Sequence, residues 1–87
     1  MEVTPPAFEI SAVKLAADGR GIIVRGWNAI DETVRVRIRP WRKFVRAEQA
    51  NLAEERTGAL RIGHGGEVTF AVRGHEIRSV IFRFNKK

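Results

Sequence analysis

Arg25-Gly26-Trp27-Asn28-Ala29-Ile30-Asp31-Glu32-Thr33-Val34-Arg35-Val36-Arg37-Ile38-Arg39 reads as a strand, a polar turn and a second strand. The second strand alternates without a break. Val34, Val36 and Ile38 fall on one parity, and Arg35, Arg37 and Arg39 on the other. A period of two sends the aliphatics to one face and the guanidinium groups to the opposite face. One side of this sheet is therefore turned to a core, the other to water or to an acidic partner.

Upstream, Phe8 to Leu15 reads as a strand whose apolar residues change parity between Ile10 and Val13. A bulge reconciles the two halves. Ala16-Ala17-Asp18-Gly19-Arg20-Gly21 is a turn, followed by a strand from Gly21 to Asn28 centred on Ile22, Ile23 and Val24. Downstream, Pro40 ends the arginine strand or marks it as an edge. A strand is expected over Lys43 to Ala47, then a loop or short strand over Gln49 to Glu55, and a strand over Ala59 to Ile62. Gly63-His64-Gly65-Gly66 is a turn. Val68, Phe70 and Val72, then Val80, Phe82 and Phe84, supply two more apolar faces. About seven short strands separated by turn signals predict an all-β fold, an antiparallel β-sandwich. Its expected core is Val34, Val36, Ile38, Val68, Phe70, Val72, Val80, Phe82 and Phe84. Residues 1–7, stiffened by Pro5-Pro6, read as a linker, residues 8–85 as the domain and 86–87 as a tail.

At 87 residues the chain is one domain with a modest core. A hydrophobic share of 44% excludes a disordered tail. No apolar run approaches the roughly 20 residues of a membrane span. There is no cysteine, which removes disulfides and thiolate metal sites and fits a reducing compartment. The start Met1-Glu2-Val3-Thr4 lacks the basic and apolar blocks of a signal peptide, so a cytoplasmic location is the expectation.

The chain offers little for catalysis. Zinc needs three or four convergent ligands, and the two histidines, His64 and His75, are isolated turn residues in the sequence. Glycoside hydrolysis needs two opposed carboxylates. Glu48, Glu54, Glu55, Glu67 and Glu76 mostly stand beside arginines or in turns, and read as surface charge. Ser11 and Ser79 sit in no nucleophile elbow, and no glycine cluster has phosphate-loop spacing.

The net charge of +6, from 16 basic and 10 acidic residues, admits nucleic acid, an anionic membrane or an acidic protein as partner. Arg35, Arg37 and Arg39, followed by Trp41, form the one constellation with partner chemistry. Cations beside an aromatic bind single strands by charge and stacking. A solvated or self-paired face ranks first, with Glu9 and Glu67 as counter-charges, docking of an acidic domain second and nucleic acid third. Trp27 and Trp41 are also candidates for a platform that stacks on the apolar face of a pyranose.

Several segments, taken in order, resemble the C-terminal β-sandwich of glycoside hydrolase family 38, the α-mannosidases. Ile10-Ser11-Ala12-Val13-Lys14 before Ala17-Asp18-Gly19 resembles the family's strand and acidic-glycine turn. Ile22-Ile23-Val24-Arg25-Gly26-Trp27-Asn28 resembles its aliphatic-aliphatic-Arg-x-aromatic-Asn strand, and Asp31-Glu32-Thr33-Val34 its return. Asn51-Leu52-Ala53-Glu54 is similar to a Leu-x-Glu segment before a penultimate strand. His75-Glu76-Ile77-Arg78-Ser79 resembles the Glu-Ile-x-Thr entry to the final strand, with serine for threonine. The resemblance implies a non-catalytic accessory domain that packs on the catalytic domain of an α-mannosidase. It also implies that zinc and the aspartate nucleophile lie in that other domain, so this chain carries no catalytic residue and no cofactor. A mannoside is the further ligand that the resemblance allows. The alternatives are a free-standing carbohydrate-binding sandwich and a small basic nucleic-acid-binding β-domain.

Overall fold

A computed structural model describes residues 1–17, 19–51 and 56–83. Among the described residues the regular structure is all strand: β1 Glu2–Thr4, β2 Phe8–Leu15, β3 Gly21–Asn28, β4 Val34–Arg39, β5 Arg46–Ala50, β6 Arg56–Leu60, β7 Val68–Val72 and β8 Ile77–Arg83. They form two antiparallel sheets, β1-β4-β7 and β2-β3-β8-β5-β6, which face each other as the sandwich expected from the sequence.

The alternating strands line the core. Val36, Ile38, Val68, Phe70, Val72, Val80 and Phe82 are buried, as expected, together with Phe8, Ile22 and Val24. Val34 is only half-buried, at the edge of this cluster. Phe84 and the remaining tail lie outside the described residues, as do Asp18 and residues 52–55 of the loop. Strand β3 is flanked by β2 and β8 and is buried on both faces. This is why its centre is a continuous aliphatic run and not an alternation. Ile22 and Val24 join the main core, whereas Ile23 joins Ile81, Ala16 and Ala50 in a second cluster.

The parity change in β2 is a bulge. Ile10 pairs with Gly26 and Ala12 with Arg25, leaving Ser11 as the extra residue. The sequence reading fails in three places. Glu2–Thr4, expected within a linker, form an edge strand on β4, because Val3 lies opposite Ile38 and packs on the core while Glu2 lies opposite Arg39. The strand expected over Lys43 to Ala47 begins only at Arg46, because the chain is crossing from one sheet to the other. In that crossover Phe44 plugs the gap against Phe82, with ring centroids 5.5 Å apart. The strand expected over Ala59 to Ile62 is shifted to Arg56–Leu60, where it completes a ladder with β5 that pairs Ala47 with Leu60.

Candidate docking surfaces

Arg35, Arg37 and Arg39 project from the outer face of the three-stranded sheet. Their cross-strand neighbours are small or acidic: Ala71 beside Arg35, Thr69 and Thr4 beside Arg37, and Glu2 beside Arg39. Arg39 is paired, its Nε and Nη2 donating to Glu2 Oε1 at 3.2 and 2.6 Å. That hydrogen bond, then the guanidinium charge of Arg39, holds the Glu2 carboxyl below its ordinary value, and Arg37 adds a smaller pull. Arg35 and Arg37 are exposed on a flat face, and no described element covers it.

Of the two counter-charges expected from the sequence, Glu67 lies near the Arg39 end of this face, where its Oε1 and Arg39 Nη1 both border Gly65, and Glu9 is elsewhere. Glu9 belongs to β2 in the other sheet, opposite Trp27. Glu67 tucks its carboxylate into the Gly63–Gly66 turn, so tightly that a side chain at Gly63 or Gly65 would collide with it. Its Oε1 is buried with no hydrogen-bond partner. Glu48, read from sequence as surface charge, is also inside the fold at 1% exposure. Arg83 Nε donates to Glu48 Oε1 at 3.0 Å, and Arg46 Nε lies 3.7 Å from its other oxygen.

Trp41 is exposed but does not join the arginine face. It lies just past Pro40, edge-on to Phe44 at 6.3 Å, and Arg42 sits 5.5 Å from the Phe44 ring on which it stacks. Phe44 leads inward to Phe82. Trp27 instead lies on the outer face of the five-stranded sheet, opposite Ile77 and 6.2 Å from the His75 ring. Five strand positions separate Ile77 from Phe82, about 17 Å along β8. The two indoles therefore occupy opposite ends of the sandwich and do not form one sugar-stacking platform.

The residues that carry the family resemblance form a bonded frame. Asn28 is fully buried. Its Nδ2 donates to the carbonyls of Glu32, Val72 and Arg73 at 2.7, 3.2 and 3.1 Å, and its Oδ1 accepts from the Ile30 N–H at 3.1 Å. Strand β3 is thereby tied to the end of β7 in the facing sheet. Arg25 Nε donates to Ser79 Oγ at 3.1 Å. Glu76 accepts from the Arg73 N–H at 2.9 Å and pairs with Arg78 at 3.3 Å. Gly26 is required because a Cβ there would stand 2.5 Å from the Phe8 ring and 2.7 Å from the Glu9 carbonyl. In the sequence Arg25, Gly26 and Asn28 stand out through the family pattern. The signal for Asn28 was its place at a strand end before a polar turn, where its side chain can bond nearby backbone.

His64 stays in the glycine turn, and His75 Nε2 lies 3.3 Å from Asp31 Oδ1. Among the described residues, no three His, Cys, Asp or Glu side chains converge as metal ligands would. No curated protein and no solved structure matches the chain. A family does match, the one described as "Glycosyl hydrolases family 38 C-terminal beta sandwich domain", over residues 7–80. That span takes in the bulged strand, the Asn28 frame and most of β8, and the chain belongs to this family.

Proposed function

We propose that the chain is the non-catalytic accessory domain of a family 38 α-mannosidase, packing on the catalytic domain and supporting it. The observation that carries this reading is the family match over residues 7–80. The exposed outer face with Arg35 and Arg37 supports it, since a cationic sheet face with small neighbours suits an acidic, flat protein surface. The zinc of such an enzyme belongs in this proposal to the catalytic domain, because the residues described here do not fit a zinc site.

The test is to compare the full-length enzyme with a form lacking this domain, and with an Arg35→Glu/Arg37→Glu variant. Deletion is expected to lower the melting temperature of the catalytic domain and its soluble yield, and the double variant to lower the melting temperature in part. The 87-residue chain alone is expected to release no product from an aryl α-mannoside. A catalytic domain equally stable and active without the module would refute the proposal, as would hydrolysis by the chain alone that Glu→Gln changes in it abolish.

A further inference from the structure

The two sheets are unequal, and the mismatch falls on β2. Val13 and Leu15 pair with Val24 and Ile22, so they lie on the core-facing side of the five-stranded sheet. They are nevertheless 45% and 64% exposed. Among the described strands β2 is also the terminal strand of its sheet, with β3 on one side only. Its backbone directions follow from its two ends. The Phe8 N–H bonds to Pro5 and not to β3, whereas the Ala16 N–H bonds to Gly21. Alternation along the strand, with one step absorbed at Ser11, turns the backbone groups of Ile10 and Val13 outward, to the free edge.

We propose that this edge pairs with β2 of a second copy of the chain, antiparallel about a twofold axis, joining two five-stranded sheets into one. The sequence Phe8-Glu9-Ile10-Ser11-Ala12-Val13-Lys14-Leu15 is complementary to its own reverse. Phe8 meets Leu15 of the second copy, Glu9 meets Lys14, Ile10 meets Val13 and Ser11 meets Ala12. The apolar pairs fall on the core side and the ion pairs on the outer side. Opposed residues in an antiparallel pair must share a face. In a regular strand Glu9 and Lys14 have opposite parity and face opposite ways. Here the extra residue at Ser11 brings both to the outer face, and both Ile10 and Val13 to the inner face.

The bulge also selects the partner. Bulges and charges on an edge strand ordinarily block pairing with passing chains. A regular strand laid along β2 would have its faces inverted beyond Ser11. A strand with the same extra residue stays matched over its whole length, and a second copy supplies one. The contact is isologous, so each charge pair occurs twice.

The test is sedimentation equilibrium of the 87-residue chain over a wide concentration range, with circular dichroism to check folding. A reversible dimer is expected. Glu9→Lys and Lys14→Glu should each weaken it about tenfold, by setting like charges opposite each other twice. An equimolar mixture of the two variants should regain the wild-type dissociation constant, because each then faces its complement. A merely structural defect in either variant would not be rescued by mixing. A chain that stays monomeric at every concentration overturns the proposal. So does a dimer indifferent to both reversals, or one that mixing fails to restore.

Discussion

Asn28 shows how much of this fold rests on one polar side chain. Its amide reaches the turn after β3 and the end of β7 together, so a single residue fixes the distance between the sheets at that end. Replacing Asn28 with alanine leaves carbonyls and the Ile30 N–H without their buried partner. The expected loss is about 2–4 kcal/mol, by the cost of unsatisfied buried groups. Ser11→Ala, at an exposed hydroxyl, should stay within about 0.5 kcal/mol. Urea unfolding of both variants checks the contrast. Glu76 contributes to the pH dependence, as does Glu2. The Arg73 N–H, and then the charge of Arg78, hold its carboxyl below the ordinary value of 4.5. A carboxyl depressed on folding contributes stability that is present above the unfolded value and lost as pH falls through the folded one. Stability should therefore decline from about pH 4.5 downward, and Glu76→Gln should flatten that decline in acid titrations followed by fluorescence.

At the scale of elements, alternation in the sequence located β4, β7 and β8, and their inward residues fill the core. Strand β3 was legible from its β-branched run, and the bulge in β2 from a change of parity alone. Strand β1 was not legible, since three residues with one aliphatic carry no period. The segment around β5 misled for a different reason. Its Glu48 is buried against Arg83, a partner 35 residues away that no local pattern announces, and Phe44 enters the core from a crossover and not from a strand. Of the expected binding residues, Arg35 and Arg37 share an open face, Arg39 is paired by a strand that was not foreseen, and Trp41 belongs to another end. Phe44→Ala should cost about 3–5 kcal/mol in thermal or urea unfolding, as for other large aromatic truncations in cores. The arginine face should not behave as a nucleic-acid site, because its neighbours Thr4, Thr69 and Ala71 offer no ring for stacking. Titration with single-stranded oligonucleotides near physiological salt should show no tight, steeply salt-dependent binding that an Arg35→Gln/Arg37→Gln variant abolishes.

For the molecule as a whole, protection should follow strand order. Strands β3 and β8 are interior to their sheet, and β1 and β6 are at edges. Amide exchange should therefore be slowest in β3 and β8 and fastest in β1 and β6, as hydrogen-exchange spectra would read. The order β2-β3-β8-β5-β6 has a consequence for how the chain comes to be folded. Strands β2 and β3 are neighbours in sequence and close as one hairpin, and β5 and β6 close as another. Neither hairpin touches the other in the ladder. Strand β8, later in the sequence than either hairpin, lies between them and pairs with both. During synthesis the larger sheet must wait as two separate halves with their apolar edges open. Closing it joins Gly21 to Arg83, far apart in the sequence, a contact of the long-range kind that makes folding slow. Until that strand emerges from the ribosome, the nascent chain is a candidate for chaperone capture.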